Sequence, residues 1–121
     1  MKGKERNAIA EKSKRFAVRI VKLYKYVCET SKEYALANQI VRSGTSIGAN
    51  VHEAIYGQSR EDFISKLSIA LKEASETEYW LELLKETDYI DEKQYESMAG
   101  DCTEIKRLLV SIIKSTKKAD Y

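Results

Sequence analysis

Asp62-Phe-Ile-Ser-Lys-Leu-Ser-Ile-Ala-Leu-Lys-Glu-Ala-Ser-Glu-Thr-Glu-Tyr-Trp-Leu-Glu-Leu-Leu84 reads as one helix with a narrow core-facing stripe. Phe63, Leu67, Ala70, Ala74, Thr77, Leu81 and Leu84 recur at alternating steps of four and three. That spacing keeps them on one face of a helix with 3.6 residues per turn. Ser59-Arg-Glu-Asp62 has the spacing of an N-terminal capping box, so the helix is predicted over about residues 60–86. The same alternation returns on either side. Downstream, Met98, Cys102, Ile105, Leu109 and Ile112 follow a box at Asp91-Glu-Lys-Gln94, with Ile90 placed to staple against Tyr95. Upstream, Phe16, Ile20, Leu23 and Val27 form a stripe widened by Ala17, Val21, Tyr24 and Cys28. A box at Thr30-Ser-Lys-Glu33 then opens another helix, and Gly57 suits a left-handed residue that closes it.

Four helices are thus predicted, at about residues 8–29, 32–56, 60–86 and 92–115. Short connections favour an all-α, antiparallel up-down four-helix bundle, a single domain over residues 1–121. Composition agrees: there is no proline in 121 residues, only five glycines, and 43% hydrophobic residues, too many for a disordered tail. The basic start, Met1-Lys-Gly-Lys-Glu-Arg6, is not followed by an apolar run, so neither a secretory signal nor a membrane anchor is expected. Cys28 and Cys102 each fall on an apolar helical face and read as buried free thiols in a reducing cytoplasm.

The second helix is unusual. Between Glu33 and Glu53 its only formal charge is Arg42. Leu36, Ile40, Ile47, Val51 and Ala54 share a face with Gly44, and a neighbouring stripe holds Gln39, Arg42, Ser46, Asn50 and Glu53. Gly44 and Gly48, with Ser43 and Ala49, leave room for another backbone, either within the bundle or from another subunit. The third helix carries a flanking stripe of Ile69, Glu73, Glu76, Trp80 and Leu83. Large residues off the core face are what an interface uses as anchors. Antiparallel pairing about Gly57 would bring Arg42 level with Glu73 and Glu76, and Glu53 near Lys66. The expected result is an Arg42–carboxylate network fixing register at a helix or subunit contact.

Gln39-Ile-Val-Arg-Ser-Gly-Thr-Ser-Ile-Gly-Ala-Asn-Val-His-Glu-Ala54, together with the stretch 62–84 and Phe16, resembles the 23S rRNA intervening-sequence protein family of four-helix bundles. The resemblance covers most of the chain. It implies a left-handed up-down bundle that assembles as a homopentamer, encoded in some bacteria within 23S rRNA genes and with no established enzymatic activity. More distantly the chain is similar to the accessory variability determinant of diversity-generating retroelements, a basic pentamer that binds a reverse transcriptase and nucleic acid. On this footing Arg42, Ser43, Ser46, Asn50 and Glu53 match as structural or interface positions.

The net charge of +2 hides an uneven layout. Residues 1–30 hold nine Lys and Arg against three Glu, a net of +6, while residues 60–88 hold four positive and eight negative, a net of −4. Lys12, Arg15, Arg19 and Lys22 form a basic face on the first helix, with Tyr26 offering a ring on which a base could stack. The tail adds Lys114, Lys117 and Lys118. Two readings follow. In the first, the basic helix faces the acidic third helix of its own or an adjacent subunit, in a non-enzymatic oligomeric scaffold that mediates protein–protein interaction. In the alternative, it binds RNA or other nucleic acid without sequence preference, as an accessory protein.

No catalytic, cofactor or metal site is expected. A di-metal bundle needs paired Glu-x-x-His motifs, and this chain has one histidine, His52. Glu73 and Glu76 could form an acid–base pair, but a neutralising arginine accounts for them equally. No P-loop or dinucleotide fingerprint occurs. The eight tyrosines mostly occupy helical faces and are expected to pack.

Overall fold

A computed structural model describes residues 3–119, so Met1 and Lys2 of the basic start lie outside the described residues. Where the four-three alternation runs, helix forms: α1 (Gly3–Ser31), α2 (Ala35–Ile55), α3 (Arg60–Glu86) and α4 (Glu92–Lys118), with no strand among the described residues. All seven residues of the α3 stripe are buried, as are all five of the α4 stripe. The α1 stripe is buried too and extends about two turns further back, through Ser13 and Ile9. Ser13 conceals the continuation in sequence, since its buried hydroxyl is satisfied locally by the Ala10 carbonyl at 3.3 Å. The helix therefore begins five residues before the predicted Ala8.

Two predicted caps form. Ser59 Oγ accepts from the Asp62 amide at 3.0 Å, and Asp91 closes a full box with Gln94 through bonds of 2.7 and 2.8 Å. The other two helix-end readings need correction. Thr30 does not open α2; it stays in α1 and donates its hydroxyl to the Tyr26 carbonyl at 2.7 Å. Lys32 takes the left-handed conformation (φ 51°) that turns the chain, and the Glu33 carboxylate accepts the Leu36 amide at 2.8 Å. Gly57 is not left-handed either. Its missing side chain instead leaves space for the Asp62 carboxylate, which a Cβ there would overlap.

Pairs across two opposite seams fix the direction. Arg42 meets Glu76 and Glu53 meets Lys66 on α2–α3, while Arg19 meets Asp101 and Lys12 meets Glu104 on α1–α4. Rising numbers on one helix pair with falling numbers on the next, so neighbours are antiparallel. Helices α1, α2, α3 and α4 follow one another around the bundle. Helix α1 thus stands diagonal to α3, and of its two neighbours it approaches α4 less closely.

The small residues of α2 serve α1 of the same chain. A Cβ on Gly44 would lie 2.7–2.9 Å from three carbons of the Ile20 side chain, and one on Gly48 would lie 3.2 Å from the Ser13 carbonyl. Neither glycine therefore requires a second subunit. Cys102 is buried, with its thiol 3.4 Å from the Ala74 carbonyl, and burial pushes its pKa up to about 12. Cys28, expected to be buried, is only half-buried, because it sits on the flank of α1 beside α2.

Candidate interaction surface

The polar stripe of α2 and the flanking stripe of α3 meet along one seam. The Arg42 guanidinium donates to Glu76 Oε2 and lies 3.7 Å from Glu73 Oε1. The same Glu76 oxygen accepts the Trp80 indole N–H at 2.9 Å. One carboxylate thus fixes both a cation and a large ring at the surface. Beneath it, the Thr77 hydroxyl is shared between Ser43 Oγ at 3.0 Å and the Glu73 carbonyl at 2.8 Å. Ser43 and Thr77 are both fully buried, so this hydroxyl pair locks the two helices in register. Farther along, Glu53 Oε1 lies 3.2 Å from Lys66 Nζ.

The remaining predicted residues do less across the seam. Ser46 donates to the Arg42 carbonyl at 2.6 Å and Asn50 to the Ser46 carbonyl at 2.9 Å, both within α2. Gln39 is exposed and Leu83 half-buried. Trp80 is not wholly off the core: part of the ring packs on it, while Tyr79 meets it edge-on at 5.0 Å. The tyrosines meet the packing expectation only in part: Tyr24, Tyr89 and Tyr95 pack against the core. Tyr26, Tyr34, Tyr56 and Tyr79 are all exposed, Tyr56 by 74% and Tyr79 by 57%. Their positions outside the apolar stripes were the signal, since packing tyrosines would have shared the four-three spacing.

The basic face of α1 is largely engaged. Arg19 pairs with Asp101 at 2.6 Å and with Ser97 Oγ at 2.8 Å, Lys12 with Glu104 at 3.3 Å, and Arg15 with Glu11 at 3.3 Å. Lys22 and Tyr26 are exposed. Within the chain this helix therefore answers α4, and not the acidic α3, because α3 lies across the diagonal.

Glu76 is held below the ordinary carboxylate range, first by the Trp80 N–H and next by Arg42. A pKa lower in the folded than in the unfolded chain adds stability that is present above the unfolded value and disappears as pH falls through the folded one. Glu76→Gln should therefore be less stable than the wild type at neutral pH, and the gap should close in acid. Urea unfolding between neutral and acid pH checks this; a gap independent of pH would refute it.

Among the described residues no three His, Cys, Asp or Glu side chains group as metal ligands, and no helix is long and apolar enough to cross a membrane. Residues 5–111 match the family model described as 23S rRNA-intervening sequence protein. The chain belongs to that family. A crystal structure of a protein with unknown function from the S23 ribosomal protein family of Bacteroides thetaiotaomicron VPI-5482 is 61% identical. It superposes with a TM-score of 0.90, over 91% of this chain and 98% of that one. Comparison with curated proteins gives no match.

Proposed function

We propose that this family member catalyses no reaction of its own and acts as a self-assembling helical scaffold, with the α2–α3 surface as its contact. The observation that carries this reading is the Arg42–Glu76–Trp80 network, fixed beside exposed Ile69 and Tyr79. Arginine, tryptophan and tyrosine are enriched at protein interfaces, and groups already ordered lose little freedom on docking. A homopentamer, as the family resemblance implies, is the proposed assembly, and a cytoplasmic setting suits two free cysteines. Light scattering on a size-exclusion column tests it. The wild type should elute as a multiple of 13.9 kDa. Arg42→Glu, which sets a third carboxylate beside Glu73 and Glu76, should shift toward a single chain, as should Ile69→Glu at an exposed site. Folded variants that keep the wild-type mass would sink the proposal.

Nucleic-acid binding is the second reading, supported by Lys14, Lys22 and Lys25, which are exposed and form no ion pair among the described residues. The pairing of Lys12, Arg15 and Arg19 with carboxylates leaves it less cationic surface than the sequence suggests. A mobility-shift titration with structured RNA at low salt separates the two, since phosphate contacts would show there first.

A further inference from the structure

On its outer side the α1–α2 seam opens into a groove of about 500 Å³. Its floor is built from small residues, among them Ala10, Ala17, Gly48 and Ala49, and Lys14, His52 and Tyr56 stand around it. Along α1, Val18 and Val21 extend the apolar strip into solvent, at 45% and 37% exposure. Lys14, Lys22 and Lys25 accompany it with no ion pair among the described residues, so this side of the molecule is apolar and positive. The outer surface of α3 is the complement. Ile69, Tyr79 and part of Trp80 are accessible there, with the Arg42-paired Glu76 close by; exposed Glu82 and Glu86, which form no ion pair among the described residues, outnumber the one exposed cation of that surface, Lys72.

These two surfaces cannot meet inside one chain, because α1 and α3 stand on a diagonal. We propose that the groove between α1 and α2 of one copy receives the outer strip of α3 from a second copy. The proposal rests on the reading of the α2–α3 surface as the assembly contact and names what that surface docks against. Charge selects this pairing over a symmetric one. Two α3 strips placed face to face would bring Glu82 and Glu86 toward their own counterparts, and two grooves would do the same with Lys14 and Lys25. Groove against strip sets the unpaired Lys14, Lys22 and Lys25 against the unpaired Glu82 and Glu86, and it covers the exposed valines with aromatic rings. Such a contact is head-to-tail: every copy offers both halves.

Two variants separate the halves. Ala49→Arg fills the groove from an exposed position, and Ile69→Glu breaks the α3 strip from another. Each alone should fall to the mass of one chain by light scattering while keeping its helical circular dichroism. Mixed in equal amounts at high concentration, they should double in mass, because Ala49→Arg still offers a strip and Ile69→Glu still offers a groove. If the two variants are monomeric and their mixture stays monomeric, the contact is not groove-to-strip. If Ala49→Arg keeps the wild-type mass while Ile69→Glu does not, the groove is overturned and the α2–α3 contact survives. If both keep the wild-type mass, or the wild type itself is a single chain, both ideas fail.

Discussion

Phe16→Ala should remove about 3–5 kcal/mol of stability, the usual cost of truncating a core phenylalanine. Phe16 is 2% exposed at the centre of the α1 stripe, flanked at its own spacing by Ile9, Ser13, Ile20 and Leu23. The loss has two parts, the transfer of the ring's apolar surface and the cavity left behind. Long helices packed along their whole length collapse poorly into such a hole, which favours the upper half of the range. Domains of this size total about 5–15 kcal/mol, so the variant would sit near the edge of folding. A urea melt should show a lower midpoint with an unchanged slope, the mark of lost stability rather than a changed denatured state. In the Ile69→Glu background, where no partner strip covers it, Val18→Ala on the opposite face, at 45% exposure, should change little. Equal losses at the two sites in that background would mean that the helix is buried on both faces within one chain.

The second large effect concerns sign. Helix propensity says that glycine to alanine in a helix gains about 1 kcal/mol. Gly100, in α4, obeys that rule: an added Cβ meets nothing within 4 Å, and Gly100→Ala should stabilise. Gly44→Ala should do the reverse. Its Cβ would come within 2.9 Å of three Ile20 side-chain carbons, including both branches at the stiff end of a β-branched residue that is 0% exposed. Overpacking of this kind costs about 1–3 kcal/mol, more than the propensity gain. Adding Ile20→Ala to Gly44→Ala should cost less than the two single changes together, since the double variant removes the clash. Thermal unfolding of the four chains gives the cycle. Strict additivity, or a gain at Gly44, would show that the close approach of α1 and α2 is not what requires glycine there.

Most of the fold was legible because packing in a bundle imposes its period on the residues themselves. The α3 spine could be read residue by residue, from Phe63 to Leu84, since each member is small or apolar and no other element competes for it. The Arg42 pairing with Glu73 and Glu76 was legible for a related reason: an antiparallel hairpin about a short turn leaves little choice of level. Helix ends were less legible. Thr30 has a cap's sequence, yet its hydroxyl can bond back to Tyr26 just as well, and Lys32 in a left-handed conformation has no residue-type signature. Charge was legible only in part, for a geometric reason. Net charge per segment cannot tell a neighbour from a diagonal: within the chain α1 stands beside Asp101 and Glu104 of α4, which leaves it only the α3 of another subunit. Glycines 44 and 48 signalled a close approach but not which helix approaches: it is α1, through the Ile20 side chain at one and the Ser13 carbonyl at the other.

That looser seam between α1 and α4 has a dynamic consequence. Three seams of the bundle join helices that also follow one another in the chain, whereas this one closes the circle between the first and the last. Its outer edge is fastened by Arg19–Asp101 and Lys12–Glu104, pairs more than one-third exposed or close to it, which salt weakens. The molecule resembles a book whose covers are held by a clasp. When it opens without unfolding, it should part along that edge first. Amides on the core-facing side of α1 and α4 would then exchange with solvent sooner than those of α2 and α3, where Ser43 and Thr77 share a buried hydrogen bond.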